Sequence, residues 1–249
     1  MMDTPDVLVV TGGSRGIGAA VVRLAAHTGY AVCFSYGRDA AAARTLEREL
    51  EESGRCAVAV QADVADPAAA RTLFDVAERA FGPVTALVNN AGITGRIGPF
   101  RDLDFATLRR VLDVNVLGTM LCAGEAVRRW ERRATAGRMV NISSIAATLG
   151  SPHEYVHYAA TKAAVEGFTV GLARETAAAG VRVNAVAPGT VHTGIHAAGG
   201  DPDRPARVAG RVPMGRVGEP DEIAEAVLWL LSDKAAYVTG AVLRVSGGL

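Results

Sequence analysis

Short apolar, β-branched runs alternate with longer, alanine-rich amphipathic stretches along the whole chain. Near-continuous apolar strands separated by helices are typical of a parallel sheet that is covered by helices on both faces. The pattern therefore predicts a doubly wound, seven-stranded α/β sheet. Strands are predicted at 6–10, 31–36, 56–60, 84–88, 138–143, 181–186 and 241–245, and helices at about 16–28, 39–53, 67–80, 104–133, 155–179 and 219–232.

One such sheet accounts for all 249 residues, and no composition break or internal repeat divides the chain. A single domain spanning 1–249 is predicted. The stretch 188–220 is rich in glycine, proline and arginine and shows little periodicity. Because it directly follows a predicted strand, we expect a substrate lid at about 190–213.

Charge and composition limit the kinds of binding partner that are expected. The 26 basic and 26 acidic residues cancel, so neither nucleic acid nor an anionic membrane is an expected partner. The N-terminal segment is too short and acidic for a signal peptide and no apolar run could span a membrane, so a cytoplasmic protein is expected. The cysteines, odd in number and without CxxC spacing, are expected to be buried free thiols: Cys33, Cys56 and Cys122.

A glycine-rich turn follows the first strand. "VLVVTGGSRGIG" places Gly12, Gly16 and Gly18 between that strand and the first helix. Glycine lets the backbone approach a ligand closely, and a helix N-terminus offers free N–H groups to a phosphate. A purely structural turn would also use glycine, but the strand–turn–helix context favours a dinucleotide site.

The spacing TGxxxGxG is the first of several motifs in which the chain resembles the short-chain dehydrogenase/reductase family, including its 3-oxoacyl-ACP reductase and glucose dehydrogenase-like members. The others follow in order along nearly the full length: "NNAG" at 89–92, "LDVNVLGT" at 112–119, YxxxK at 158–162, "NAVAPGTVHT" at 184–193 and "GAVLRVSGG" near the end.

This resemblance implies a single-domain Rossmann fold and an NAD(P)-dependent oxidoreductase that transfers hydride between nicotinamide and a carbonyl or secondary alcohol. It implies that Asp63 and Val64 contact the adenine, although Asp63 also suits a turn. The cofactor-binding residues that it implies are Gly12, Ser14, Arg15, Gly16, Ile17, Gly18, Asp63, Val64, Asn90, Ala91, Gly92, Tyr158, Lys162, Pro188, Gly189, Val191 and Thr193.

The choice of dinucleotide follows from charge at the end of the second strand. An acidic residue there would bind the adenosine ribose of NAD, whereas arginine suits the 2′-phosphate of NADP. Tyr36, Gly37 and Arg38 occupy this point, and Asp39 comes later as the expected cap of the next helix. With Arg15 as a second cation, NADP is predicted over NAD. The alternative is that both arginines are solvated surface residues.

The YxxxK motif selects one of two nearby tyrosines. Tyr158 and Lys162 are four residues apart on a predicted helix and share a face, whereas Tyr155 has Ala159 at the matching position. An ammonium group beside a phenol, together with a positive nicotinamide ring, favours phenolate and lowers the pKa from about 10. Tyr158 is predicted to exchange the substrate proton, with Lys162 as its partner.

Ser143 and Ser144 both stand where the fifth strand ends, and only one of them can face the cleft. The family serine lies one residue closer to the tyrosine than Ser144 does, so the resemblance implies Ser144 and one extra residue in the loop before Tyr158. It also implies that Asn115 holds a water linking Lys162 to solvent. Packing within the helix is the alternative for Asn115.

Four histidines form two pairs with i,i+4 spacing, but the mechanism that the resemblance implies needs no metal, so no metal site is expected. They are expected instead near the substrate cleft: His153, His157, His192 and His196. "RRWERR" (128–133) is either a docking patch for an acidic partner or a solvated helix end.

Members of the family commonly form tetramers through helices that correspond to 104–133 and 155–179, so a homotetramer or homodimer is expected. A catalytically silent NADP-binding regulator is the alternative function, whose expected mark is loss of the tyrosine or lysine. The substrate stays open among 3-oxoacyl thioesters, sugars such as glucose, steroids, and small aldehydes or ketones.

Overall fold

The computed structural model describes residues 5–249, whose strands form one parallel seven-stranded sheet in the order β3-β2-β1-β4-β5-β6-β7. This confirms the predicted doubly wound α/β fold; residues 1–4 of the predicted domain lie outside the described residues. The strands are β1 (Val7–Val10), β2 (Ala31–Tyr36), β3 (Ala57–Gln61), β4 (Val84–Asn89), β5 (Arg138–Ile142), β6 (Arg182–Pro188) and β7 (Val242–Val245).

Helices cover both faces of the sheet, and each face has its own apolar core. Val9 and Val10 are both fully buried, yet they join different cores because successive strand residues point to opposite faces. The helices are α1 (Gly16–His27), α2 (Ala40–Glu52), α3 (Pro67–Phe81), α4 (Phe105–Leu112), α5 (Gly118–Arg133), α6 (Ala146–Leu149), α7 (Val156–Thr176), α8 (Ile195–Ala198), α9 (Arg204–Val208) and α10 (Pro220–Leu231).

The helix predicted at 104–133 contains an interruption that the sequence pattern did not reveal. A π-helical turn at Asp113–Leu117 joins α4 to α5. Such turns widen a helix locally and often occur at functional sites. This one carries Asn115, whose side chain is fully buried.

Aspartates begin three of the helices. Asp39, Asp66 and Asp104 each accept a hydrogen bond from a backbone N–H in the first turn of α2, α3 and α4. The predicted cap at Asp39 is thereby confirmed. Helix α1 differs, because Arg15 precedes it and no side chain caps its first N–H groups.

The cysteine prediction is correct for two residues and wrong for one. Cys33 and Cys122 are buried free thiols, and burial raises the pKa of each to about 12. Cys56 is free but exposed, because it directly precedes β3, the edge strand of the sheet.

The segment 128–133 ends helix α5 and is solvated at four of its six positions, since Arg128, Glu131, Arg132 and Arg133 are exposed. Arg129 is 6% exposed and pairs with Asp75, Glu78 and Glu125 at 2.6–2.7 Å, which joins α3 to α5. Trp130 is buried beside it. The solvated helix end is therefore confirmed for the outer residues of the segment and is wrong for Arg129 and Trp130. Within residues 5–249, no helix is long and apolar enough to cross a membrane.

Candidate active site

Most of the predicted site residues follow the carboxyl ends of the strands, which meet at one edge of the parallel sheet, whereas Asn115, Tyr158 and Lys162 lie on helical segments. The turns after β1 and β4 lie side by side there, at the point where the strand order reverses. Ligands of doubly wound sheets bind in the crevice at this point. The ends of β5 and β6 lie next along the same edge.

Close backbone packing explains two of the glycines. A Cβ on Gly18 would lie 2.3 Å from the carbonyl oxygen of Gly12, and a Cβ on Gly12 would lie 2.9 Å from Cα of Ala91. Nδ2 of Asn90 donates to the carbonyl oxygens of Thr11 and Gly12 at 3.0 and 2.9 Å. Asn90 therefore holds the glycine turn in place.

Two hydroxyl groups that the sequence analysis did not single out complete this support. Oγ1 of Thr11 accepts the N–H groups of Asn90 and Ala91, both at 3.0 Å, and Oγ of Ser35 accepts that of Gly12 at 3.1 Å. Thr11 is the first letter of the TGxxxGxG motif, so the motif itself carried this signal. Ser35 lies in an apolar strand without any such signal.

The start of α1 opens onto a cleft of about 550 Å³, which Ser14 and Arg15 line together with His192, Thr193 and the start of α10. A Cβ on Gly16 would lie 3.2 Å from Cγ2 of Thr193, so the loop after β6 covers the turn. The uncapped N–H groups of α1 and the glycine backbone suit a diphosphate. Ile17, the next residue of α1, packs against the apolar core.

The end of β2 carries positive charge and no carboxylate. Tyr36 is partly buried, whereas Gly37 and Arg38 are exposed. Neither Arg15 nor Arg38 forms an ion pair with any residue in 5–249. Two unpaired guanidinium groups beside the glycine turn are what a 2′-phosphate requires.

The turn after β3 is held more firmly than the sequence indicated. Oδ1 of Asp63 accepts the N–H of Ala65 at 3.1 Å, which is the turn role, and Oδ2 pairs with Arg110 of α4 at 2.8 Å. Val64 is buried against Gly118, where a Cβ would come within 2.7 Å of the valine side chain. The Arg110 contact had no signal in the sequence.

The end of β6 closes the site from the other side. The carbonyl oxygen of Pro188 accepts the N–H of Ile145, and the N–H of Gly189 donates to Val245. Val191 is buried and pairs with Gly218 in an isolated bridge. These bonds fix the backbone that leads from the sheet into the 190–213 segment.

Helix α7 brings the tyrosine and lysine together as its spacing predicts. Nζ of Lys162 lies 5.6 Å from the centre of the Tyr158 ring and donates to the carbonyl oxygen of Ile142 at 2.7 Å. Ser144, at the end of β5, accepts the N–H of Ala146 at 3.1 Å and is near enough to lower the pKa of Tyr158.

The neighbouring serine points the other way. Ser143 is 1% exposed, and its hydroxyl donates to Glu166 of α7 at 2.7 Å. The geometry therefore separates the two serines: Ser144 faces the phenol, and Ser143 ties β5 to α7.

Burial sets the ionisation of both groups on α7. It raises the pKa of the Tyr158 phenol, with nearby Tyr155 adding to this effect, whereas Ser144 and Arg204 act in the opposite direction. Burial also lowers the pKa of Lys162 to about 8. The protein's own groups therefore favour a neutral phenol.

The side chain of Asn115 ties the π-helical turn to its surroundings. Its amide exchanges two hydrogen bonds with the backbone of Ile93, both at 2.9 Å, and donates to Thr161 at 3.0 Å. A Cβ on Gly92 would lie 3.4 Å from Nζ of Lys162 and 3.5 Å from Oδ1 of Asn115. That oxygen therefore lies on the same side as the lysine.

The histidines serve the backbone rather than one another. Buried His157 and His196 hydrogen-bond the carbonyl oxygens of Thr94 and Val191 at 2.7 and 3.0 Å. His153 and His192 are exposed. Among residues 5–249, no group of three or more His, Cys, Asp or Glu side chains could hold a metal ion.

The loop before α7 has an unusual backbone. Gly150, Ser151 and His153 have φ values of 73°, 45° and 64°, a region that disfavours residues other than glycine. The loop delivers Glu154 to Arg204 of α9, with a 2.7 Å ion pair. Neither this pair nor Arg204 has a signal in the sequence pattern.

The comparisons with known proteins cover nearly the whole chain. The family described as "Enoyl-(Acyl carrier protein) reductase" matches residues 12–249. An uncharacterized oxidoreductase, YgfF of Escherichia coli (strain K12), is 44% identical over 97% of this chain and 99% of its own. The 3beta-hydroxysteroid dehydrogenase 1 of Eggerthella lenta is 42% identical over 97% of this chain and 92% of its own.

A solved structure agrees in both fold and sequence. A short-chain dehydrogenase from Burkholderia cenocepacia J2315, in complex with NADP, superposes with a TM-score of 0.89 at 35% identity. The match covers 98% of this chain and 97% of that one. The chain therefore belongs to the short-chain dehydrogenase/reductase family and is an oxidoreductase.

Proposed function

We propose that the protein is an NADP-dependent oxidoreductase that interconverts a carbonyl compound and a secondary alcohol. The observation that carries this proposal is the grouping of Ser144, Tyr158 and Lys162 at the carboxyl edge of the sheet, with Nζ of Lys162 5.6 Å from the phenol ring. Because both members of YxxxK are present and adjacent, the silent-regulator alternative lacks support.

The residues around the glycine turn fit NADP. The uncapped start of α1 suits the diphosphate, and Arg15 and Arg38 suit the 2′-phosphate. Asp63 and Val64 would contact the adenine of the cofactor. The loop from Pro188 to Thr193 would contact its nicotinamide end. The NADP complex of the Burkholderia protein supports this assignment.

Each polar side chain then has one task. Bound NADPH supplies the hydride that reduces the carbonyl carbon. Ser144 donates a hydrogen bond to the carbonyl oxygen, and Tyr158 protonates it. Lys162 returns a proton to Tyr158, and the remaining acceptor position on Oδ1 of Asn115 holds the water that connects this lysine to solvent. Alcohol oxidation reverses these steps.

The pKa of Tyr158 limits this chemistry. Since burial raises it, phenolate must be stabilised by positive charge near the ring during alcohol oxidation. Lys162 supplies one such charge, and the nicotinamide of the oxidised cofactor supplies another. The segment 190–213 acts as a lid over this centre, because its short helix α9 lies beside the loop that leads to Tyr158.

The partners follow from the same features. The substrate is a small molecule, and the protein is a homo-oligomer through α4, α5 and α7. Exposed apolar side chains on α4 and at its junction with α5, among them Phe105 at 78% exposure, support this packing. Light scattering of the wild type and of Phe105→Asp measures the oligomeric state. A monomeric wild type would contradict the proposed homo-oligomer.

A single screen tests the proposed function. NADPH oxidation is followed with 3-oxoacyl thioesters and small ketones, and NADP⁺ reduction with sugars, hydroxysteroids and cyclic alcohols. Tyr158→Phe should bind NADPH normally, measured by cofactor fluorescence, and lose at least about 100-fold in turnover. Tyr237→Phe, at a fully exposed tyrosine, is the matched control. Full activity of the Tyr158 variant would refute the proposal.

A further inference from the structure

A buried cation from the lid is separated from the proposed proton donor by one aromatic ring. Arg204 is 8% exposed, and its guanidinium carbon lies 5.1 Å from the centre of the Tyr155 ring. That ring meets Tyr158 edge-to-face, with 5.2 Å between the ring centres and 87° between the planes. Packing of this kind fixes the orientation of both rings.

Glu154 holds this cation in place. Its Oε2 accepts from Nε and Nη2 of Arg204 at 3.2 and 2.7 Å, and its backbone oxygen accepts the N–H of Gly98 at 2.7 Å. The loop bearing it adopts positive φ at Ser151 and His153, which costs stability. The ion pair with Glu154 offsets the burial of the arginine, whereas strained backbone of this kind costs stability and clusters at functional sites.

We propose that Arg204 is a positioning residue for Tyr158, acting through the Tyr155 ring and anchored by Glu154. This inference rests on the proposed function. It assigns a role to the extra residue of the loop before α7, because that loop aims Glu154 at the lid. Lid closure and orientation of the proton donor then become one event, since the same guanidinium takes part in both.

The charge of Arg204 matters as well as its position. It is the cation from the lid that lowers the pKa of Tyr158. The loop after β4 (90–99) contains one charged residue, Arg96, and its side chain is exposed. The other polar or charged groups that act on the two tyrosines are the Ser144 and Ser151 hydroxyls, Glu154, exposed Arg207 and, on α7 itself, Lys162.

Arg204→Met and Arg204→Lys separate charge from shape. With the alcohol that the wild type oxidises fastest in the screen, Arg204→Met should lower kcat about tenfold or more. It should also move the pH profile of kcat/KM upward by about 0.5–1 unit, because phenolate loses a nearby positive charge. Arg204→Lys loses the paired hydrogen bonds but keeps the charge, so its profile should stay at the wild-type position.

Arg207→Met is the matched control. Arg207 lies on the same helix and approaches the same Glu154 at 3.4 Å, but it is about half exposed and does not pack on the Tyr155 ring. Its charge reaches Tyr155 but does not act on the pKa of Tyr158. Its pH profile should match that of the wild type. NADPH affinity, measured by fluorescence, should stay within about threefold in all three variants, which shows that the site is folded.

Two results would overturn the inference while leaving the proposed function intact. One is an Arg204→Met profile at the wild-type position with unchanged kcat. The other is an equal upward displacement in Arg204→Met and Arg204→Lys, which would indicate loss of structure rather than of charge. A wild type without turnover on every compound of the screen would instead refute the proposed function, and this inference with it.

Discussion

Nζ of Lys162 donates a hydrogen bond to the carbonyl oxygen of Ile142 at 2.7 Å, so one buried side chain ties helix α7 to the end of strand β5. The lysine is 4% exposed and has no carboxylate partner in the residues described. Burial lowers its pKa to about 8. A buried amine without a counter-charge opposes folding wherever it is protonated.

Lys162→Met should therefore abolish turnover without loss of stability at pH 7. Between pH 8 and about 10.4, the unfolded chain keeps the lysine proton that the folded chain has lost, so wild-type stability rises with pH in that window. The variant lacks this rise. At pH 7 the free energy of unfolding of the variant should exceed that of the wild type by on the order of 1–3 kcal/mol, and this difference should be smaller at pH 10. Urea unfolding at both pH values measures this, and a pH-independent difference would contradict it.

The two adjacent serines should respond differently to removal of the hydroxyl. Ser144→Ala should lower kcat by at least about 100-fold with unchanged stability, because its hydroxyl faces Tyr158. Ser143→Ala should keep most activity, but its free energy of unfolding should fall by about 1 kcal/mol because Glu166 loses its hydrogen bond. Paired kinetics and urea unfolding measure both effects. A reversed pattern would show that Ser143 is the catalytic serine.

Arg38→Asp should discriminate between the two dinucleotides. NADPH binding should weaken by about 10- to 100-fold, because a charge-assisted contact to the 2′-phosphate is replaced by repulsion. NADH affinity should change far less. Arg44→Asp, on the exposed surface of α2, introduces the same charge change away from the site and should leave both affinities unchanged. Equal losses for NADPH and NADH would contradict the assignment, with fluorescence titration as the measurement.

Gly18→Ala should disrupt the glycine turn. The added methyl would lie 2.3 Å from the carbonyl oxygen of Gly12 and 2.5 Å from Nδ2 of Asn90, neither of which can move without breaking the turn. A loss of about 1–3 kcal/mol in stability is expected, together with loss of NADPH binding. Gly124→Ala in α5 meets nothing closer than 3.4 Å and should be neutral or stabilising. Thermal unfolding with and without NADPH compares them.

The regular elements were predictable because their signals are local. Helix α7, predicted at 155–179, spans Val156–Thr176, and β2 matches its predicted range. Apolar periodicity and strand length depend on neighbouring residues alone, so one sequence suffices. The proximity of Tyr158 and Lys162 follows from helical spacing in the same way.

Contacts between distant segments were not predictable, since they depend on which loops meet at the sheet edge. Arg110 and Asp63 are 47 positions apart in sequence, and Glu154 and Arg204 are 50 apart. Nothing in either segment identifies the other. The π-helical turn was not predictable either, because the spacing of the apolar residues along 104–133 is compatible with an uninterrupted α-helix.

That turn has a consequence for changes in chain length. A π-helical turn holds one residue more than an α-helical turn, and each residue advances a helix by about 100°. Helices α4 and α5 are therefore out of phase by about that angle: Phe105 and Leu112 face outward, whereas Trp130 is buried. Deleting one residue from 113–117 would restore an even helix but rotate Asn115 away from Ile93. A point substitution at exposed Leu117 leaves this phase unchanged, so we expect the segment to be more sensitive to a change in length than to one at this position.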